Sequence, residues 1–201
     1  MEFFAALGVS TGAIFIAEMG DKTQLVALSL ATRYRALTVM AGITAATIAV
    51  HGASVLIAEV LGLAIPTNWI TLVAGLAFLV FGAWTLRGDE LTADDESRAA
   101  SRRAKSAFMT VATIFFLAEL GDKTMLATIT VGAGYSGTPL AWLAVWIGST
   151  VGMVLADGIA VVLGRLLGKK LPERAIRIGA AVLFFAVGTV MTIQGATSLL
   201  A

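Results

Sequence analysis

The chain has 201 residues, of which 58% are hydrophobic and 13% charged, and its mean hydropathy is +0.91. The charged share is about half the ~25% of soluble domains, which excludes a disordered tail, a collagen-like fibre and an ordinary soluble domain. With no cysteine and a net charge of +1, it also lacks a disulfide framework, a thiolate metal site and the basic footprint of a nucleic-acid binder.

What remains is a chain whose main solvent is lipid, with room at ~20 apolar residues per crossing for about six helices. The first is predicted over Phe3–Leu30. It has no basic n-region and is too long for a signal h-region, so it reads as a retained helix. The second runs Ala36–Leu61 and the third Trp69–Leu86. The long polar segment 87–107 then mixes Asp89, Glu90, Asp94, Asp95 and Glu96 with Arg87, Arg98, Arg102, Arg103 and Lys105. It reads as a solvated linker, with ion sensing by its acidic run as the lesser alternative. Phe108–Thr130, Pro139–Leu163 and Ile176–Ile193 complete the spans. None alternates as a membrane β-strand does. The expected fold is an all-α membrane protein of six transmembrane helices, with units 1–86, 87–107 and 108–201.

The basic residues orient it. Arg33 and Arg35, the five of segment 87–107, and Arg165, Lys169, Lys170, Arg174 and Arg177 fall in alternate loops, and they are 12 of the 14 Lys and Arg. Six crossings put those loops on one side, which the positive-inside rule makes cytoplasmic. Both termini are then outside. The two basic residues left over are Lys22 and Lys123, and each sits in a span.

The two halves resemble each other. Ala17-Glu18-Met19-Gly20-Asp21-Lys22-Thr23 matches Ala118-Glu119-Leu120-Gly121-Asp122-Lys123-Thr124 at an offset of 101. Beyond the loop Gly132–Thr138 the offset is 106: Gly42 matches Gly148, His51 matches Asp157, Pro66 matches Pro172, and Phe78 and Gly82 match Phe184 and Gly188. Three helices per half place the second half in the membrane upside down, the inverted repeat of many secondary transporters, whose sites lie at the repeat interface near midplane.

A charge at the bilayer centre costs at least ~2.5–3.5 kcal/mol and is rare without a function. Here Glu18, Asp21, Lys22, Glu119, Asp122 and Lys123 come as two copies of one motif. On continuous helices, positions i, i+3 and i+4 share a face, so each trio is expected to point together. Thr23 and Thr124 can add hydroxyl oxygens. Gly20 and Gly121 allow close approach, or a local break that frees backbone carbonyls as ligands. Four carboxylates and two hydroxyls form a set suited to hard cations such as Ca²⁺, Mg²⁺ or Mn²⁺. The motif charges sum to −4 + 2 = −2, which balances one such ion. The bland reading makes Glu18–Lys22 and Glu119–Lys123 i,i+4 ion pairs that glue helices; it leaves the aspartates and the duplication unexplained. The lysines fit both readings if they hold the empty site together and give way to the cation. His51 and Asp157 are candidates for proton coupling; the bland reading of His51 is a hydrogen-bonded core histidine, whereas a buried carboxylate without a purpose is costly. Gln24 and Gln194 can hydrogen-bond between helices and are given no functional role.

At these residues the sequence resembles the Gdt1-type cation transporters, long labelled uncharacterised protein family 16 and also called the second Ca²⁺:cation antiporter family. Both E-x-G-D-K-[T/S] motifs stand unbroken, and the resemblance covers nearly the whole chain. It implies transport of Mn²⁺ and/or Ca²⁺ in exchange for protons and, for bacterial members, Mn²⁺ export across the plasma membrane. The chain lacks the N-terminal extension of organellar members, which favours a prokaryotic source. The family's motif acids carry over onto Glu18, Asp21, Glu119 and Asp122, whereas His51 and Asp157 lie outside the motif. The metal is cargo, no cofactor is implied, and the chain is read as a transporter rather than an enzyme. With no Walker motif, ATP is not the direct energy source. The competing readings are a small-solute exporter for amino acids or amines, an intramembrane aspartyl hydrolase using Asp21 and Asp122, and a scaffold. The choice between Mn²⁺ and Ca²⁺, the stoichiometry and the oligomeric state are left open.

Overall fold

Two helix breaks organise the molecule. The computed structural model describes residues 1–64, 66–87, 107–167 and 173–200; within its helices a few side chains, that of Lys22 among them, fall outside the description. Among the described residues there is no strand and there are eight helices: α1 Glu2–Glu18, α2 Lys22–Arg33, α3 Ala36–Ala64, α4 Thr67–Arg87, α5 Ala107–Glu119, α6 Lys123–Gly134, α7 Ala141–Leu167 and α8 Glu173–Leu200. The acidic run expected in the 87–107 linker lies outside the described residues.

Four helices are long and apolar enough to cross a membrane, over Ala36–Gly62, Asn68–Arg87, Ala141–Val162 and Ile178–Leu200. They match four of the expected spans. On α8, Val182, Leu183, Val187, Val190 and Ile193 are exposed, a face that suits lipid and not water.

The other two expected spans are corrected. Phe3–Leu30 is α1 followed by α2, and Phe108–Thr130 is α5 followed by α6. The cause is local. Gly20 has φ 76° and Gly121 φ 79°, a left-handed backbone that costs an L side chain ~1–2 kcal/mol and glycine nothing comparable. No atom lies within 4 Å of a Cβ built on Gly121, so backbone conformation and not crowding demands the glycine. Asp21 (φ −81°, ψ 162°) and Asp122 (φ −76°, ψ 170°) follow in extended conformation and start α2 and α6. The shared face expected for each motif's charges therefore does not form. Glu18 and Glu119 end one helix, and Asp21 and Asp122 precede the next.

α4 lies along α8, α1 lies along α7, and α3 touches α5, α6 and α7. These contacts come in reciprocal pairs under the offsets that relate the two halves. Gly42 on α3 meets Val111 on α5, and its counterpart Gly148 on α7 meets Ser10 on α1, the counterpart of Val111. Gly82 approaches the Ala181 carbonyl, and Gly188 approaches the carbonyl of Gly75. Where equivalent helices cross, counterparts touch each other. The Phe78 and Phe184 rings are 5.8 Å apart, and Thr47 Oγ1 donates to Met153 Sδ at 3.3 Å. Small residues at such crossings let backbones come close where lipid provides no hydrophobic drive for association.

Candidate cation site

Each break presents a carboxylate on either side of its glycine. An aspartate at a helix N-cap usually accepts a hydrogen bond from the first turn. Neither Asp21 nor Asp122 makes that side-chain cap bond, so these carboxylates are directed elsewhere. The amides of the breaks find other acceptors. Gly20 N–H donates to Gln24 Oε1 at 2.9 Å, and Gly121 N–H to Met125 Sδ at 3.2 Å. Gln24 also donates through Nε2 to the Ala156 carbonyl at 3.0 Å, tying the first break to α7. Sequence reading allowed Gln24 an interhelical hydrogen bond but no functional role. Its signal was a polar side chain four residues beyond the break glycine, inside an apolar span.

The threonines act on their own motifs. Thr23 Oγ1 lies against Glu18 Oε1 and 2.9 Å from Asp21 Oδ2, and Thr124 Oγ1 donates to Glu119 Oε2 at 2.6 Å. They orient the glutamates. The lysine departs from the i,i+4 pairing considered above: Lys123 Nζ of the second motif bonds Asp21 Oδ1 of the first. One buried ion pair thus joins the two halves. The side chain of Lys22 lies outside the described set.

Four further acids gather around that pair. Asp157 and Glu119 act electrostatically on Glu18, Asp122, Asp21 and Asp157 on Glu119, and Asp21 on Asp157. Lys123 feels Asp21, Glu18 and Asp122. All six side chains are buried, Glu18, Glu119 and Asp157 completely. Among the described residues Glu18 Oε2, Glu119 Oε1 and both oxygens of Asp157 have no hydrogen-bond partner. Buried polar groups are nearly always satisfied, and buried charges are paired or coordinate metals. Even so, no three described His, Asp or Glu side chains stand close enough to hold an ion as they are. The set is gathered but not closed, with the Lys123 ammonium among its carboxylates. His51 is fully buried on α3, and among the described residues neither ring nitrogen has a hydrogen-bond partner.

Of the sequence-derived set, Glu18, Asp21, Thr23, Glu119, Asp122, Lys123 and Thr124 are therefore brought together, and Asp157 joins them. The arrangement can accept positive charge, as protons or as a hard cation.

Comparison with known proteins agrees with this chemistry. The family described as divalent cation/proton antiporter GDT1 matches residues 6–93 and 107–199. A Vibrio cholerae protein named "Putative manganese exporter" is 35% identical over 181 residues, covering 90% of this chain and 86% of its own. A Synechocystis GDT1-like protein is 29% identical over 86% of this chain and 89% of its own. The chloroplastic protein PAM71 of Arabidopsis thaliana is 34% identical over 90% of this chain and 55% of its own. No solved structure matches.

Proposed function

The chain belongs to the GDT1 family of divalent cation transporters, and we propose that it exports Mn²⁺, and/or Ca²⁺, from the cytoplasm in exchange for protons. The observation that carries this reading is the union of the two motifs: Lys123 of one bonded to Asp21 of the other, with Glu18 and Glu119 beside them. Glu18, Asp21, Glu119 and Asp122 are the proposed carboxylate ligands, and Thr23 and Thr124 orient the glutamates and lend oxygens. The metal is cargo, and the protein needs no cofactor to move it.

Lys123 is the stand-in cation of the empty site. A divalent ion entering the cluster displaces its ammonium from Asp21 and draws the acids in to their ligand positions. Protons and metal need the same carboxylates, so each expels the other. Competition at one site that opens alternately to either face is sufficient for antiport. An inward proton gradient then drives the metal out.

The reciprocal contacts of α3, α4, α7 and α8 with their counterparts support two inverted repeats, 1–86 and 108–201. In this reading α1 with α2, and α5 with α6, are the first broken span of each repeat, making six crossings. Half-helices meeting near midplane are the usual place for ions in such transporters. The basic loops then lie in the cytoplasm, both termini lie outside, and the setting is the plasma membrane.

The test is transport by the purified protein in proteoliposomes, with Mn²⁺, Ca²⁺ and Mg²⁺ compared and internal pH followed. Metal flux with opposing proton movement is expected, absent in Glu119→Gln. Metal flux without proton movement at any pH refutes antiport, and no divalent flux at all refutes the cargo.

A further inference from the structure

Asp157 belongs to neither motif. It sits on α7, fully buried, and among the described residues neither carboxylate oxygen has a hydrogen-bond partner. The charged groups it meets are Glu18, Asp21 and Glu119, from α1, the first break and α5. The Gln24 bond to the Ala156 carbonyl fastens the preceding residue of α7 to that same break. Asp157 is thus held among the motif acids with no described group to satisfy it. The one described ammonium nearby is engaged by Asp21.

The repeat sharpens the point. The counterpart of Asp157 is His51, equally buried and, among the described residues, equally without a hydrogen-bond partner. The two equivalent positions carry different chemistry: a carboxylate suits a hard cation, and an imidazole suits softer ones.

A buried carboxylate without a donor either holds a proton or takes a cation brought to it. Hard divalent cations take six or more oxygens, and the motif oxygens are already partly engaged: Thr23 lies against Glu18, Thr124 donates to Glu119, and Lys123 takes one oxygen of Asp21. We propose that Asp157 is a ligand of the transported cation, a fifth carboxylate supplied by α7. The proposal rests on the cation-site reading of the motifs. It gives Asp157 a direct place in the site instead of the proton relay considered from the sequence.

The experiment measures Mn²⁺ binding to the full-length protein in detergent at fixed pH, by the loss of the free Mn²⁺ paramagnetic resonance signal. Asp157→Asn is expected to weaken binding at least tenfold, at alkaline as well as neutral pH. Asp157→Glu should keep part of the affinity, and His51→Gln should bind as the unaltered protein does. The chain has no cysteine, so Asp157→Cys introduces a single thiol. A thiolate ligand favours softer metals, and the Cd²⁺-to-Mn²⁺ affinity ratio should rise at least tenfold. That ratio decides the matter if Asp157→Asn does not fold. Asp157→Asn with unchanged Mn²⁺ affinity but flattened pH dependence of transport makes Asp157 a relay and overturns the proposal. An unchanged Cd²⁺ ratio in Asp157→Cys overturns it as well. If Asp157→Asn binds normally while Glu119→Gln does not, the proposal fails and the motif site stands. If the unaltered protein binds neither Mn²⁺ nor Ca²⁺, the functional reading fails with it.

Discussion

Replacing Lys123 with methionine removes the ammonium from Asp21 while keeping most of the side-chain volume. Lys123 and Asp21 are 3% and 1% exposed, so neither regains water when the other is lost. Removing one partner of a buried ion pair typically costs ~3–5 kcal/mol, because the other charge is left uncompensated. Without metal, Lys123→Met should therefore lose stability by an amount of that order. A bound cation repairs the same defect, and it no longer has to displace an ammonium. If even ~1.4 kcal/mol of the penalty is recovered on binding, affinity rises tenfold; recovery of ~3 kcal/mol raises it by more than a hundredfold. Two assays read this. Thermal unfolding in detergent with and without Mn²⁺ should show a larger metal-induced stabilisation in the variant. Proteoliposome transport should show a lower apparent KM and a lower maximal rate, since tighter binding slows release. Lys123→Arg should stay closer to the parent. Weaker metal binding in Lys123→Met, or no change in stability without metal, would refute the stand-in role.

Asp122→Asn should abolish metal transport while the protein still folds; retained transport would remove Asp122 from the ligand set. Gly121→Ala should lose ~1–2 kcal/mol through its left-handed backbone alone, because a Cβ there meets no atom within 4 Å; an unchanged melting temperature would show that α5 and α6 can join without the break. Single cysteines at Ser97 and Gly137 should label from opposite sides, Ser97 from the cytoplasm; labelling of both from one side would refute the inverted topology. Mn²⁺ affinity should fall as pH falls, since protons take the same carboxylates; affinity independent of pH would separate the proton and metal sites.

The four long spans were legible because lipid selects for uninterrupted apolar length, and that can be counted along the chain. The breaks were only half legible. Gly20 and Gly121 stood out as positions that permit a break, but hydropathy runs straight through them, and helix periodicity predicted aligned charges instead. The deciding term was backbone conformation at one residue, which leaves no trace in apolar periodicity. The cross-motif pair was illegible for another reason. From sequence, Lys123 has Glu119 one turn away and Asp21 about a hundred residues away, and only packing of α5 and α6 against the first half reverses that preference. For Gln24 an interhelical hydrogen bond was legible but its partner was not, since Ala156 offers nothing but a backbone carbonyl.

The reciprocal contacts and the departures from them fit together in one argument. Where the scaffold needs symmetry, counterparts touch: Phe78 with Phe184, Thr47 with Met153. Such contacts can be exchanged between halves at little cost, which suits a molecule that alternates between two faces. At the site itself symmetry is broken twice. Asp157 stands where the other half has His51. Gln24 answers Gly20 with an amide that also grips α7, whereas Met125, in the matching place, answers Gly121 with a thioether that has no proton to give and so no such tie. The second break is therefore the one expected to move when Lys123 yields to the cation. Hydrogen exchange with and without Mn²⁺ should change most over α5 and α6; a change confined to α1 and α2 would reverse the assignment.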